Sequence, residues 1–401
     1  MLTPYELSKA PYNIIKIYQD FEDFVIEDIS RRIAKAGKVT DTAVWQLQRA
    51  KEFGIAEKEL KEYKAKALNK SYKEIDYLFS KYANMSVAHD NSIYKQAGLN
   101  IITIENSPEL QGYLNAAIKQ TQGELMNICN SLGFCYVGVN GKIGFKDLTQ
   151  YYISVLDLAQ LQVSSGVLDY NTAIKQAIKK LSQSGIRTIN YETGYQNRLD
   201  VAVRRATLTG VNQMSQKMTE HTMNELGCEY VEVSSHAGAR PSHQVWQGQV
   251  YSYKGKSDKY PDFVSSTGYG TVEGLAGANC RHSFFPFFPG VSKRAYTDEQ
   301  LKNIDPDPFE YDGKTYTFYE ATQHQRKLER AIRDTKRELI GYNAAELEEE
   351  FTNASIKLQQ QKKEYDAFSK AADIDKQNER IQVMGYGKSI SQKSTKRNKK
   401  A

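Results

Sequence analysis

The first two hundred residues place apolar and charged side chains at the spacing of amphipathic α-helices. Apolar side chains occur at every fourth position, at Phe21, Val25, Ile29 and Ile33. This spacing predicts one helix that ends at Gly37. Ser107 marks the predicted start of another helix. Further helices are predicted in TDTAVWQLQRAKEF, EKELKEYKAKALNKSYKEIDYLFSKYA, DLTQYYISVLDLAQLQVSSG and DYNTAIKQAIKKLSQSG. Residues 1–227 are therefore predicted to form a helical N-terminal region.

The pattern changes near residue 228, where short apolar runs alternate with polar and glycine-rich segments. CEYVEVSSHAGARPSH and QGQVYSYKG each predict one short strand. Residues 254–278 predict a long ordered loop or small hairpins. We therefore expect a compact mixed α/β module in residues 228–295.

Helical spacing returns in residues 296–387. Apolar residues near heptad spacing predict a helix that ends at Gly341, and Asn343 with Glu346 resembles a capping box for the next helix. The predicted fold class is mainly α. It comprises a helical N-terminal half, a small central α/β (α+β) module, a C-terminal helical hairpin or coiled coil, and a disordered basic tail in residues 388–401.

The composition is that of an ordinary globular protein. The chain has 401 residues, of which 40% are hydrophobic and 25% are charged. No stretch approaches the roughly 20 consecutive apolar residues of a membrane-spanning helix, and the N-terminal residues lack the pattern of a secretory signal. Four irregularly spaced cysteines without a CxxC pair indicate neither a disulfide scaffold nor a zinc ribbon. We expect synthesis in a reducing cytoplasm and no membrane partner.

The formal net charge of +6 is concentrated in the C-terminal tail. The tail contains no acidic residue, so the rest of the chain is formally neutral. Its cations are Lys388, Lys393, Lys396, Arg397, Lys399 and Lys400. This composition suits a disordered solubilising end, because little apolar surface is available to offset the entropy of ordering. The alternative is an arm whose cations contact nucleic-acid phosphates, with Lys393, Lys396, Arg397, Lys399 and Lys400 as the candidates.

Two segments of the central module contain residues suited to metal binding or nucleophilic chemistry. His236 and His243 lie in SSHAGARPSH, and Cys280 and His282 lie in GANCRHSFFPFFPG. Three imidazoles and one thiolate suit a structural zinc site, although the spacing does not encode their convergence. Cys280 with His236 or His243 as a base also suits a hydrolase or toxin-like enzyme, but no oriented third residue is recognisable.

The third interpretation of these residues is a small fold that is closed by hydrogen bonds. The surrounding sequence is rich in side chains that donate and accept them, including Arg240, Gln247 and Asn279. We predict this structural role, with no cofactor and no enzymatic activity. A structural zinc bound by His236, His243, Cys280 and His282 is kept as the alternative.

The same segments resemble the phage minor capsid protein 2 family, which is related to the Mu-type head morphogenesis proteins. The resemblance rests on SSHAGARPSHQVWQGQVYS and GLAGANCRHSFFPFFPG, and RRATLTGVNQ and QRKLERAIRDTKRE extend it over most of the chain. The wider group has the approximate pattern R-x-x-H, then a glycine, then C-R-C. The corresponding residues here are Arg240, His243, Gly248, Cys280, Arg281 and His282. Histidine at position 282 excludes a disulfide with Cys280 and leaves both residues able to bind a metal.

The resemblance implies a minor structural protein of a tailed-phage head, present in low copy and associated with the portal region during assembly. We therefore expect a virion protein, synthesised in the bacterial cytoplasm, whose partners are the portal and other capsid proteins, with packaged DNA as a further partner of the tail. The residues expected to form its structural motif are His236, Arg240, His243, Trp246, Gly248, Asn279, Cys280, Arg281 and His282. A Cys/His-dependent enzyme and a tail-mediated nucleic-acid-binding protein are the alternatives.

Overall fold

A computed structural model describes residues 2–36, 42–137, 143–151, 153–154, 157, 170–189, 194–255 and 257–398. These residues are mainly helical and include three small antiparallel sheets. The prediction of a mainly α protein with a small α/β module is confirmed. Within the described ranges, no helix combines the length and the apolar character needed to cross a membrane.

The chain divides into two compact units, each made of three separate segments. The first unit comprises Met1–Ile15, Ser71–Met126 and Val203–Ala321. The second unit comprises Lys16–Lys70, Asn127–Ala202 and Thr322–Ala401. The predicted central module lies within the first unit. The division of the sequence into four consecutive regions stays a prediction.

The helices confirm much of the amphipathic pattern. Their bounds are α1 Pro4–Lys9, α2 Tyr12–Ala36, α3 Thr42–Gln96, α4 Pro108–Asn130, α5 Tyr170–Ser184, α6 Leu199–Glu225, α7 Pro241–Gln244, α8 Phe263–Thr267, α9 Asp298–Lys302, α10 Phe318–Ala344, α11 Glu348–Ala371 and α12 Lys388–Asn398, with a 3-10 turn at Asn378–Ile381. The apolar stripe of α2 is buried, as predicted. Ser107 accepts a hydrogen bond from the Leu110 N–H at 3.2 Å and so caps α4.

Helix α3 is continuous where the sequence predicts two helices. Gly54 lies between the two predicted helices, and a Cβ added there would meet no atom within 4 Å. One glycine inside a helix costs about 1 kcal/mol relative to alanine, which is too little to end a helix of this length. The segment DYNTAIKQAIKKLSQSG forms α5 as predicted, whereas most of DLTQYYISVLDLAQLQVSSG lies outside the described residues.

A four-stranded antiparallel sheet in the second unit departs from the helical prediction for residues 1–227. Its strands are β1 Leu132–Val137, β2 Ile143–Asp147, β3 Arg187–Ile189 and β4 Gln196–Arg198, in the order β2-β1-β3-β4. The strands β3 and β4 have only three residues each, which is too short for an alternating pattern to be recognised.

The module is built on a three-stranded sheet in the order β6-β5-β7. The strands β5 Tyr230–Val233 and β6 Val250–Ser252 confirm the two strand predictions, and β7 Phe284–Phe287 is an additional strand. Pro286 is tolerated in β7 because this strand lies at the sheet edge. An apolar cluster supports the sheet and includes Trp246, Tyr251, Phe263 and Phe284. The module therefore has an apolar core in addition to its polar contacts.

A separate hairpin follows the module and is formed by β8 Phe309–Tyr311 and β9 Lys314–Tyr316.

The helices α10 and α11 form a hairpin. Hydrogen bonds between the two helices run from the Tyr365 hydroxyl to Glu329 and from the Lys357 ammonium to Glu338. Helix α10 continues through Gly341 to Ala344. The next helix begins at Glu348, and its N-cap residue makes no side-chain capping bond.

The predictions of a helix end at Gly341 and of a capping box at Asn343 and Glu346 are therefore wrong. Gly341 is required by tertiary packing rather than by a helix end, because a Cβ at position 341 would lie 2.5 Å from Ile178 Cγ2. The glycine permits Ile178 of α5 to approach α10 closely, and it does not mark a change of chain direction.

Residues 388–398 form α12, which differs from the predicted disorder. Lys393 Nζ donates a hydrogen bond to Glu348 Oε1 at 2.7 Å, and Arg397 pairs with the other oxygen of the same carboxylate. The Lys393 ammonium also lies 4.7 Å from the centre of the Phe351 ring. A carboxylate and an aromatic ring on α11 thus stabilise a segment whose own composition offers neither.

Candidate functional site

The two motif segments meet where β5 ends and β7 begins. The Ser234 N–H donates to the Ser283 carbonyl at 2.8 Å, and the Ser283 N–H donates to Ser234 Oγ at 2.9 Å. The predicted histidines of the first segment follow β5, and the Cys-Arg-His segment precedes β7. Antiparallel pairing of these strands therefore brings residues together that are about forty positions apart.

The short helix α7 positions His243. Pro241 occupies its first turn, where the missing N–H of proline removes no helical hydrogen bond. The preceding residue, Arg240, donates through its guanidinium to the Ala278 carbonyl at 2.9 Å. Arg240 thus ties α7 to the segment that leads into Cys280.

Gly248 and Asn279 hold the turns on either side of the site. Gly248 has a φ of 68°, and a Cβ at this position would lie 2.4 Å from Leu301 Cδ2. Asn279 has a φ of 57°, a left-handed conformation that asparagine adopts more readily than most residues. Both predicted motif residues are therefore explained by backbone geometry.

Three of the four predicted ligand residues converge. The Cys280 Sγ atom lies 3.8 Å from His243 Nδ1 and 3.7 Å from His282 Nδ1, and the two Nδ1 atoms are 3.4 Å apart. The three residues are at most 2% exposed. Their close contact was not evident from the spacing of the sequence.

The outer nitrogen of each of these histidines has a hydrogen-bond acceptor. His243 Nε2 lies 2.8 Å from the Glu273 carbonyl oxygen, and His282 Nε2 lies 3.0 Å from Gln247 Oε1. The same Gln247 oxygen accepts the backbone N–H of His236 at 3.1 Å. These contacts fix the direction in which both imidazole rings point.

Asn212 is a site residue that sequence reasoning missed. Its side-chain amide donates to the carbonyl oxygens of Cys280 and His282 at 3.3 and 3.0 Å. It lies on α6, in the segment RRATLTGVNQ that contributes to the family resemblance. That resemblance was its only signal, since no local pattern links a helical asparagine to a loop about seventy residues away.

The remaining motif residues surround the cluster without joining it. The His236 ring stacks on the His282 ring with centres 4.4 Å apart, and its Nδ1 lies 2.8 Å from the Ala237 carbonyl. The Arg281 guanidinium lies 3.3 Å from His236 Nδ1. The Trp246 ring lies 4.5 Å from His243 and 4.8 Å from His282, measured between ring centres. The His236 and Trp246 rings therefore pack against the cluster.

The environment of Cys280 differs from that of a nucleophilic cysteine. Burial raises the pKa of the Cys280 thiol, whereas reactive cysteines combine a low pKa with access to substrate. Burial also lowers the pKa of His243 and holds that of His282 well below its usual range. Both imidazoles are therefore neutral at pH 7, and neither supplies the positive charge that would stabilise a free thiolate.

The tail residues predicted to contact nucleic acid differ in their surroundings. Lys393 and Arg397 pair with Glu348, and Lys396 lies on the same helix. Lys399 and Lys400 fall outside the described residues. DNA contact through this segment stays a prediction.

Replacement of Arg240 by alanine is expected to destabilise the module by about 1–3 kcal/mol, because the charged hydrogen bond to Ala278 is lost. His243→Ala should also destabilise the fold rather than leave a stable, inactive protein. Urea unfolding measures both effects. Lys254→Ala is the control, since its pair with Glu229 is about half-exposed and should change stability by less than about 1 kcal/mol. Native melting of His243→Ala would contradict the structural role.

Comparison with known proteins connects this site to a family. Residues 2–370 match the family described as phage minor capsid protein 2. The chain is also similar to a protein named "Structural protein" from Lactococcus phage LL-H, with 24% identity over 277 residues that cover 66% of this chain and 72% of the relative. No solved structure gives a significant match. The resemblance carried by the motif segments is confirmed, and the chain belongs to the phage minor capsid protein 2 family.

Proposed function

We propose that this phage structural protein acts in head assembly at or near the portal vertex, as a minor component of the virion. The observation that carries the proposal is the family match across residues 2–370. The similar protein of Lactococcus phage LL-H is named a structural protein, which supports the same class of function. Synthesis in the bacterial host cytoplasm belongs to the proposal and agrees with the four free cysteines.

We assign the contacts with the portal and other capsid proteins to the helical regions before Gly227 and after Tyr316. Helices α3 and α4 expose the aromatic side chains of Tyr77 and Tyr113, which are 62% and 38% exposed. Tyrosine is enriched at protein interfaces because its ring buries a large area and its hydroxyl keeps a polar partner. The central module then serves as a rigid spacer, stabilised by its sheet and apolar cluster.

The alternative functions have less support. A Cys/His-dependent hydrolase would need an accessible thiolate, and Cys280 is 2% exposed with a raised pKa. A nucleic-acid-binding tail would have to release Lys393 and Arg397 from Glu348 before both could neutralise phosphates. We therefore favour a structural role without enzymatic activity.

Disabling the gene in a phage infection tests the proposed function. We expect defective or non-infectious heads and a large loss of titre, with host growth unchanged and infectivity restored by a plasmid copy. Mass spectrometry of purified wild-type virions should detect the protein in low copy. Infectious particles that form in normal yield without the protein would overturn the structural assignment.

Cross-linking of purified heads tests the location. We expect lysines of the helical regions to cross-link to the portal protein, with cross-links to the major capsid protein near the same vertex. Cross-links distributed over the whole capsid, with none to the portal, would reject the portal location and retain a structural role elsewhere in the head.

A further inference from the structure

We propose that His243, Cys280 and His282 bind a zinc ion through Nδ1, Sγ and Nδ1, and that this ion stabilises the fold of the module. Among the described residues, these three form a group of potential ligands whose donor atoms lie within 4.8 Å of one another. The proposal is independent of where the protein acts in the phage head.

The distances between the three donor atoms match one face of a zinc tetrahedron. Zinc lies about 2.0–2.1 Å from an imidazole nitrogen and about 2.3 Å from a thiolate sulfur. At tetrahedral angles, two nitrogen ligands are then about 3.4 Å apart, and each is about 3.6 Å from the sulfur. The structure has 3.4 Å between the two Nδ1 atoms and 3.7 and 3.8 Å from Cys280 Sγ to each of them.

The hydrogen-bond partners of the two imidazoles also point to a bound cation. His243 Nε2 faces a carbonyl oxygen, so this nitrogen carries the proton of the neutral ring. His282 Nε2 faces Gln247 Oε1, and the amide orientation is fixed because this oxygen also accepts the His236 N–H. Both neutral imidazoles therefore present an unprotonated Nδ1 to the centre of the cluster.

Hydrogen bonds alone cannot satisfy this arrangement. Two nitrogen lone pairs face each other at 3.4 Å, and the Cys280 thiol has one proton to share between them. That proton has a third acceptor in the His282 carbonyl, 3.9 Å from the sulfur. If the proton stays on the sulfur, one buried nitrogen remains without a donor, and if it moves between the two nitrogens, a buried thiolate is left. One bound cation satisfies both nitrogens and the sulfur.

The surroundings are those of metal-binding histidines. A ligating histidine usually donates its other N–H to a carbonyl, an amide or a carboxylate, which fixes the ring and makes the ligating nitrogen more basic. His243 and His282 both have such partners, and Asn212 holds the carbonyls of Cys280 and His282 from the other side. The site is therefore positioned before an ion arrives.

Two imidazoles and one sulfur favour zinc over magnesium or calcium, which prefer oxygen ligands. Binding deprotonates Cys280 and releases that proton to solvent, so the ion and its ligands have a net charge of +1. His236 is not the fourth ligand, because its Nδ1 faces the Ala237 carbonyl and its ring stacks on His282. We assign the fourth position to a water molecule. Burial of all three ligands favours a stabilising role over catalysis.

Metal analysis of the full-length protein tests the proposal. After dialysis against metal-free buffer, we expect about one zinc ion per chain by mass spectrometry of the elements. Chelation should lower the melting temperature, and added Zn²⁺ should restore it where Mg²⁺ does not. Replacement by Co²⁺ should give a thiolate-to-cobalt charge-transfer band. Another metal in place of zinc, or a melting temperature that does not respond to Zn²⁺, would overturn the proposal.

The substitutions Cys280→Ser and Cys228→Ser form a matched pair. Both cysteines are buried in the apolar cluster of the module, but Cys228 Sγ faces the Tyr230 carbonyl at 3.3 Å and does not belong to the group of three converging ligands. Cys280→Ser should lose zinc and the charge-transfer band, and Cys228→Ser should keep both. If Cys280→Ser does not fold, the cobalt spectrum of the wild-type protein decides, because absence of the thiolate band there contradicts a sulfur ligand. Retention of zinc by a folded Cys280→Ser protein would also reject the site.

Discussion

Replacement of Arg337 by methionine is expected to lower the free energy of unfolding by about 3–5 kcal/mol, because two buried carboxylates lose their cation. The Arg337 side chain is fully buried in the second unit and pairs with Glu22 and Asp23, which are also buried. Methionine keeps most of the side-chain volume, so the loss reports the unpaired charges rather than a cavity. Urea unfolding of the full-length protein measures the change.

The two carboxylates cannot turn towards solvent, because each holds a backbone segment. Glu22 Oε1 accepts the Ile186 N–H at 2.7 Å, and Asp23 Oδ2 accepts the Gly385 N–H at 3.0 Å. Removing the cation therefore leaves charges that remain fixed in the interior. Removal of the exposed Lys376, which pairs with Asp366 at 2.8 Å, is the control and should change stability by less than about 1 kcal/mol.

The loss caused by Arg337→Met should become smaller as the pH falls. Burial raises the pKa of Asp23 to about 6, and the Arg337 charge opposes that rise. Because this folded-state pKa exceeds the unfolded value, protonation of Asp23 stabilises the fold as the pH falls through about 6. Without Arg337 the pKa rises further, so the variant should recover part of its stability at about pH 5. An equal loss at pH 5 and pH 7.5 would show that Asp23 does not carry the effect.

The sequence predicted those elements whose signal is local. The four-residue spacing from Phe21 to Ile33 and the cap at Ser107 depend on neighbouring residues alone, and the structure confirms both. The strands β5 and β6 were also recognisable, because short runs of valine and tyrosine are typical of strands. The edge strand β7 was not, since its Pro286 argues against a strand until its edge position is known.

The candidate site was predictable as a set of residue types but not as a cluster. The sequence shows His236, His243, Cys280 and His282 as suitable ligands, yet the pairing of β5 with β7 and the position of α7 decide which three converge. The contribution of Asn212 depends on the packing of a helix against the site, which no local pattern encodes. The order of the tail depends in the same way on Glu348, about forty-five residues away.

Gly341 shows most clearly how tertiary contacts override a local signal. Its expected role was to end a helix, but α10 continues through it to Ala344, and glycine occupies this position because close neighbours leave no room for a side chain. A Cβ here would lie 2.5 Å from Ile178 Cγ2 and 2.9 Å from Ser30 Oγ. Ile178 is fully buried and β-branched, so its side chain has little freedom to move away.

Gly341→Ala is therefore expected to destabilise the protein, whereas Gly54→Ala should stabilise it. Both glycines lie in helices of the second unit, and alanine gains about 0.5–1 kcal/mol from its higher helix propensity at each. At position 54 nothing lies within 4 Å of the new Cβ, so the gain should be retained. At position 341 overpacking costs about 1–3 kcal/mol, which exceeds the gain. Thermal and urea unfolding of the two variants should therefore shift in opposite directions, and an equal gain in both would mean that α10 relaxes around the added methyl group without cost.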